Sequence, residues 1–517
     1  MQRENQAAQT ADQRQRALQE CPLDVLIIGG GIVGAGIARD AAMRGLRVGL
    51  VDQHDFAFGT SSRSSRLLHG GLRYLAQGRI GLVHEASVEK KVIHHIAPHL
   101  AQPLPFIFPT YRGNRNWVLW QLKIGVKLYD LLCGGRNLGK SSWLSQRQVL
   151  GAVPILSAQG LTGAVRYYDG FTNDARLTLD TLRSAARKGA ALLNYCRFED
   201  AKGGTSSNVA AGPLWTCELR DTSTGASFDV RARTIVNAAG PWADALPHSR
   251  VHLRATKGVH LVVEKSRIPV TETIVMTEGK RILFAIPWGQ RTILGTTDTD
   301  YRGSLDKVAA DADDIGYVLG VTNQFFPNAK LAEPDVISTW AGVRPLVADP
   351  NGKPSDISRS HEIHSPEPGW WDVAGGKLTT YRLMAEQTVD QIVHLLRRRK
   401  GLQDQPCRTA EEPLLPPTET EGVSGILPPE MDRRAVKHYL THEWALHLDD
   451  VMVRRTSWHY YFRDAEARAE QVADWMGELL GWTEAQRAAE IAHYHQNAGG
   501  SWSTSAPGSG FAGRPAR

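Results

Sequence analysis

Asp24-Val-Leu-Ile-Ile-Gly29-Gly-Gly31-Ile-Val-Gly34-Ala-Gly36, followed by Arg47-Val-Gly-Leu-Val-Asp52, decides the fold. The apolar run Val25–Ile28 predicts a fully buried parallel strand. Gly29 allows a tight turn, Gly31 lets the backbone approach a pyrophosphate, and Gly34 brings helix and sheet together. The helix that follows offers unpaired N–H groups and the positive end of its dipole to phosphates. Asp52 comes about 20 residues after the glycines, where a carboxylate accepts a ribose hydroxyl. With both strands, the helix and the acid in place, the stretch predicts a dinucleotide site rather than a ligand-free crossover.

At 517 residues the chain exceeds one ordinary core, so two or three domains are expected. No stretch is both charge-free and apolar enough for the ~18–20 residues of a spanning helix. Five cysteines stand without CxxC or CxH spacing, which argues against zinc or iron–sulfur ligation and for a reducing compartment. No metal is expected. The net charge of +6 is modest and carries little weight alone.

Further strand–helix signals return to the same sheet from distant parts of the chain: the helix pattern from Asp174 running into the strand at Ala191, Arg233–Trp242, and Trp371–Arg382. Alternating segments at Lys257–Val263, Arg281–Pro287 and Thr292–Thr297 predict a second, antiparallel domain inserted into the first. The expected organisation is a disordered extension over 1–20 and an α/β dinucleotide-binding domain over 21–95, 160–250 and 345–397. A substrate or cap domain occupies 96–159 and 251–344, a helical C-terminal domain 410–496, and a disordered tail 497–517. The proline-rich stretch from Glu412 reads as a linker into the helical region.

Nicotinamide and flavin dinucleotides share the first turn. A resident isoalloxazine, unlike a dissociable nicotinamide, needs walls from distant segments, and Asn237–Gly240 and Gly375–Thr380 supply them. The helix start at Gly376-Lys-Leu-Thr-Thr aims N–H groups at the flavin pyrimidine. FAD is therefore the expected cofactor.

These residues also carry a resemblance. Gly29–Gly36 with Asp52, then Thr60-Ser-Ser-Arg-Ser-Ser-Arg-Leu-Leu-His69-Gly-Gly-Leu-Arg73-Tyr-Leu, resemble the FAD-dependent glycerol-3-phosphate dehydrogenases. Asn237–Trp242, Lys257–Val263, Ile293–Asp298, Gly342–Leu346, Gly375–Arg382 and Glu443–Thr456 follow in the same order. The resemblance implies a glutathione-reductase-type FAD domain with contacts from Gly29, Gly31, Gly34, Asp52, Thr60, Ser61, Ser65, Leu68, Gly70, Gly240, Gly376, Leu378 and Thr379. It implies oxidation of glycerol 3-phosphate with electrons passing to a membrane quinone, oxygen being the alternative acceptor. Two features depart from the family pattern: a shortened helical domain before Glu443–Thr456 and the 20-residue N-terminal extension.

Alcohol oxidation needs a base within hydrogen-bond reach, and histidine suits neutral pH. Similar enzymes point to His69 first and His260 second, with Arg344 completing the catalytic set. A phosphomonoester calls for more than one cation. Arg73 and Arg344 sit in apolar or glycine-rich context, where an unpaired charge is costly. Arg359, Lys377 and Tyr74 complete the expected substrate contacts. The rivals are an amino-acid or 2-hydroxy-acid flavoenzyme, needing one arginine fork, an RNA-binding flavoprotein, and a silent FAD scaffold. The compact basic cluster Arg397–Lys400 reads as a helix end, so no nucleic acid is expected. Trp117–Leu132, rich in Trp, Leu and Lys, reads either as a buried helix of the inserted domain or as one lying in an anionic bilayer surface. The expected location is the cytoplasmic face of a membrane, with a homodimer possible.

Overall fold

The computed structural model describes residues 10–71, 80–114, 116–132, 138–204, 214–348, 361–400 and 405–498. Val25–Ile28 lies at the heart of a six-stranded sheet, ordered His361–His364, Trp370–Gly375, Ile235–Asn237, Val25–Ile28, Val48–Val51, Ala191–Leu193. Its strands run parallel except His361–His364, which closes one edge antiparallel. Alternation along the central strand decides the layers. Val25 and Ile27 pack toward the helices Ile32–Met43, Asp174–Arg187 and Tyr381–Lys400. Leu26 and Ile28 pack toward a three-stranded antiparallel sheet of Cys196–Gly204, Leu214–Asp221 and Ser227–Ala232. Both faces being covered, the strand is apolar throughout.

The alternating segments do lie in a second, ten-stranded sheet, which is mixed rather than wholly antiparallel: Thr273–Glu278 runs parallel to Gln102–Tyr111. Its spine is Leu253–Glu264, paired antiparallel with Val336–Val347 on one side and Arg291–Gly295 on the other. The register sets His260 opposite both Trp340 and Gly295. The C-terminal helices Arg433–His442, Ala465–Leu480 and Glu484–Ala498 close one face of this sheet, in a core shared with Trp288, Trp340 and Tyr439.

Three expectations change. Ala11–Gln19 is a helix, not a disordered leader: Thr10 and Gln13 form a capping box, Leu18 enters the core, and Arg14 donates to the Leu192 carbonyl and Asn194 Oδ1. Residues 1–9, and the tail beyond 498, lie outside the described residues. Leu161–Phe171, expected in the FAD domain, pairs along its length with Gln102–Tyr111 in the second sheet. The proline-rich stretch is a packed strap: Leu414 and Leu415 are buried beside Ile93, Ile96 and Leu100, and the Leu414 N–H donates to the Ile96 carbonyl at 2.9 Å.

The last helix is held by charge. His447 Nδ1 lies 2.9 Å from Glu490 Oε1, and the Leu448 N–H donates to Glu490 Oε2. Burial pulls the imidazole down, but Glu490 and Asp450 together carry its pKa up to about 9. A folded-state value above the unfolded ~6.5 contributes stability that is complete below about 6.5 and is lost as pH rises through about 9. We therefore expect the thermal midpoint to fall between pH 6.5 and 9, by a few kcal/mol of stability at most. The His447→Gln variant should lose most of that slope; a scan in which both proteins fall in parallel would remove the ion pair as its source.

Candidate active site

The two sheets meet over a cavity of about 670 Å³, inside the ~300–1,000 Å³ range of cofactor sites. Its floor is the glycine turn. A Cβ at Gly34 would stand 1.9 Å from the Gly29 carbonyl oxygen, so helix and turn touch backbone to backbone. Gly29 itself has φ of +110°, with the Ala238 carbonyl where its Cβ would be. Gly31 differs: a Cβ there meets Ser61 Oγ at 3.2 Å, at the cavity wall. Ser61 Oγ accepts the Ile32 N–H at 2.9 Å, which orients the first helical turn toward the cavity.

Asp52 closes one part of this floor. Its carboxylate accepts the Gly30 N–H at 2.7 Å and the His54 N–H at 2.9 Å. Burial nonetheless pushes its pKa up to about 7. His54, Phe58 and Trp242 form an aromatic wall beside it, His54 stacked on Phe58 at 4.1 Å.

Elsewhere the cavity is lined by His69, His260, Arg344 and Gly375–Thr379. Gly375 and Gly376 have φ of +72° and +76°, bending the chain from strand Trp370–Gly375 into the helix. Thr379 Oγ1 accepts the His69 N–H at 3.1 Å and so binds the two segments together. Arg344 is held by Thr296 Oγ1 at 3.2 Å and Asp298 Oδ1 at 3.3 Å. Gly258 makes room for it, since a Cβ there would lie 2.4 Å from the guanidinium.

His260 is sealed at 2% exposure, stacked on Trp340 at 5.1 Å, with Nε2 2.8 Å from Ser65 Oγ. Burial, reinforced by Arg344 and Arg66, pulls its pKa down to about 3. It is a neutral hydrogen-bonding group at physiological pH. His69 is less enclosed and faces the cavity.

Of the residues expected from sequence, Gly29, Gly31, Asp52, Thr60, Ser61, Ser65, His69, Gly240, His260, Arg344, Gly376, Lys377, Leu378 and Thr379 all line the cavity. Three expected cofactor contacts stand behind it. Gly34 serves backbone packing, Leu68 is buried among Ile93, Leu100 and Tyr381, and the Gly70 N–H donates to the Tyr129 hydroxyl at 3.1 Å. Tyr129 in turn shares Asp169 with Lys90, a buried group that sequence reading passed over. Arg73, Tyr74 and Arg359 lie outside the described residues. Thr60, although at the wall, spends its hydroxyl on the Val343 carbonyl at 2.6 Å. Among the described residues no cluster has a metal-binding set.

A glycine turn, a half-buried carboxylate and a cavity of about 670 Å³ together suit a dinucleotide such as FAD. Residues 24–391 match the FAD dependent oxidoreductase family, and residues 428–487 match the C-terminal domain of alpha-glycerophosphate oxidase. The aerobic glycerol-3-phosphate dehydrogenase of Staphylococcus haemolyticus is 38% identical over 404 residues, 77% of this chain and 72% of that one. The chain belongs to the FAD-dependent glycerol-3-phosphate dehydrogenase family. The Staphylococcus aureus (strain USA300) member is also 38% identical, over 75% of this chain and 70% of that one. Within the family, the X-ray structure of the Bacillus halodurans glycerol-3-phosphate dehydrogenase complexed with FAD matches at TM-score 0.75 and 28% identity, covering 95% of this chain and 98% of that one. FAD is the cofactor, and the fold is that of these flavoenzymes.

The two glycines should fail differently. Gly31→Val directs its branches toward the cavity wall beside Ser61 and is expected to yield folded protein with little flavin. Gly34→Val collides with backbone and is expected to be insoluble. Purification with full flavin occupancy in Gly31→Val would remove this turn from the cofactor site.

Proposed function

We propose that the protein oxidises sn-glycerol 3-phosphate to dihydroxyacetone phosphate at FAD and passes the electrons to a membrane quinone. What supports the substrate is that the cavity wall includes a histidine, His69, and two cations, Arg344 and Lys377, in a chain whose relatives are glycerol-3-phosphate dehydrogenases. A single arginine fork serves a carboxylate substrate; more than one cation suits a phosphate of nearly two charges. Bound FAD supplies the hydride acceptor at N5. Arg344 and Lys377 bind and orient the phosphate, Arg344 already steadied by Thr296 and Asp298. His69 takes the hydroxyl proton onto its ring as the carbon–hydrogen bond breaks. His260, sealed and held neutral, keeps Ser65 in place at the wall.

Anaerobic sn-glycerol 3-phosphate should bleach the flavin, while glycine and lactate should not. His69→Gln is expected to slow that reduction by ~10²–10⁴ with FAD still bound. Losing the Arg344 contact in Arg344→Gln should weaken substrate binding by roughly ten- to a hundredfold. Reduction of His69→Gln at the wild-type rate beside a crippled His260→Asn would move the base to His260, and bleaching by glycine or lactate instead would replace the substrate.

Attachment to the cytoplasmic face of an anionic membrane is part of the proposal. Among the described residues no helix is long and apolar enough to span a bilayer. Helix Leu119–Leu132 buries Leu122, Val126 and Tyr129 but exposes Trp120 (61%), Ile124 (61%) and Leu131 (72%), with Trp143 (60%) on the adjoining strand. Lys123 stands 4.4 Å over the Trp143 ring, placing a cation among them. Such a face suits an interfacial helix. Trp117 is not part of it: its indole N–H donates to the Gly279 carbonyl and its ring packs on Phe108. In flotation with anionic vesicles, wild type should float and Trp120→Glu/Ile124→Glu should not, with salt weakening attachment only partly. Equal flotation of both proteins would clear this face of the role, and a variant that instead loses a dimer would assign it to a second copy.

A further inference from the structure

The loop that follows Asp52 is gripped from the far end of the chain. Asp55 is fully buried, and its carboxylate accepts from Arg454 Nε at 2.5 Å and from both terminal nitrogens of Arg455. Burial alone would raise its pKa, but Arg455 and Arg454 hold it below the usual carboxylate range. Asn194 bridges the same grip, donating from Nδ2 to Asp55 Oδ1 at 3.2 Å and to the Trp444 carbonyl at 2.9 Å. The Trp444 ring meets Phe56 edge-on at 5.3 Å.

Phe56 is the wedge that carries this grip to the glycine turn. A Cβ at Gly30 would lie 2.4 Å from the Phe56 ring, and the Ala57 N–H donates to the Gly30 carbonyl at 3.1 Å. Gly30 in turn donates its own N–H to Asp52. Ala57 holds φ of +62°, a left-handed conformation that a non-glycine residue keeps only when its surroundings impose it. The second arginine is tied back into its own segment, through the Glu443 carbonyl at 2.6 Å, and Arg454 through Asp449 at 2.8 Å. The two halves of the grip are nearly 400 residues apart, so they are joined only in the folded protein.

We propose that the Glu443–Thr456 segment holds the 52–58 loop in the shape that receives the adenosine half of FAD, with Asp55 as the pin, so that flavin retention depends on the C-terminal domain. Asp55 is a positioning residue here. It acts through Phe56, Gly30 and Asp52, and lies outside the cavity lining itself. The inference rests on FAD occupying the glycine turn; failure of that assignment would show as a wild-type protein without flavin, which is a different result from a variant that releases flavin too fast.

The test uses holoenzyme and reads two signals at once: recovery of free-flavin fluorescence after dilution, and circular dichroism of the protein. Asp55→Asn keeps the size and hydrogen-bonding shape of the side chain but removes the charge that faces two buried guanidinium groups. It should release FAD at least about tenfold faster than wild type at a temperature where the dichroism is unchanged. Glu272→Gln, which breaks the Arg166–Glu272 pair in the second sheet, should release FAD at the wild-type rate. If Asp55→Asn does not fold, Arg454→Lys, which keeps the charge but gives up the guanidinium fork, is scored by the same criterion. Release within twofold of wild type, or flavin lost only together with the dichroism signal, would overturn the proposal and leave Asp55 as a structural ion pair.

Discussion

The molecule turns on one backbone contact, the Gly29 carbonyl lying where a side chain at Gly34 would be, 1.9 Å from its Cβ position. That contact exists only because Gly34 adds no Cβ at the point of approach. It sets the pitch of helix Ile32–Met43 against the Val25–Ile28 strand and so the direction in which the helix's first N–H groups point. Everything built around the turn respects it. Ala238 comes close enough that a Cβ on Gly29 would clash, Phe56 does the same at Gly30, and Ser61 takes the first helical N–H from the other side.

The cavity is a product of two sheets rather than of either. The parallel sheet contributes the cradle and Asp52, while the second sheet contributes His260 and Arg344 from neighbouring strands, and Thr60 stitches the two through the Val343 carbonyl. Electrostatics within it are graded. Burial lifts the Asp52 carboxyl and depresses His260, while the arginines near His260 add to its neutrality. The densest pairing, around Asp55, Asp449, Asp450, Glu443, Arg176 and the arginines of the C-terminal segment, lies behind the cofactor loop rather than in the cavity.

Much of this was legible in the amino-acid order. Strand, glycines, helix and Asp52 read directly because local geometry leaves few alternatives for that spacing, and the alternating segments foretold a second sheet. Other features had no local signal. Leu161–Phe171 joins the second sheet because Gln102–Tyr111 pairs with it, a partner 50 to 69 residues away that periodicity along one strand does not reveal. The leader's polar composition predicts disorder, yet one leucine and one hydrogen-bonded arginine anchor it as a helix. Gly70 looked like a cofactor contact, whereas its N–H serves a buried Tyr129–Asp169–Lys90 group assembled from three elements. Trp117 and Trp120 are three residues apart in one apolar pattern, and only tertiary packing turns one inward and leaves the other out. Asp55 gave no cue at all, since its partners stand at the other end of the chain.

The most direct measurement is a crystal structure of the FAD holoenzyme with sn-glycerol 3-phosphate bound under anaerobic, slow-turnover conditions. The proposed site requires the pyrophosphate against Gly29–Gly34, the substrate phosphate against Arg344 and Lys377, and the substrate's secondary hydroxyl within hydrogen-bond reach of the His69 ring. A substrate phosphate bound away from Arg344 and Lys377, or a secondary hydroxyl beyond the reach of His69, would contradict it.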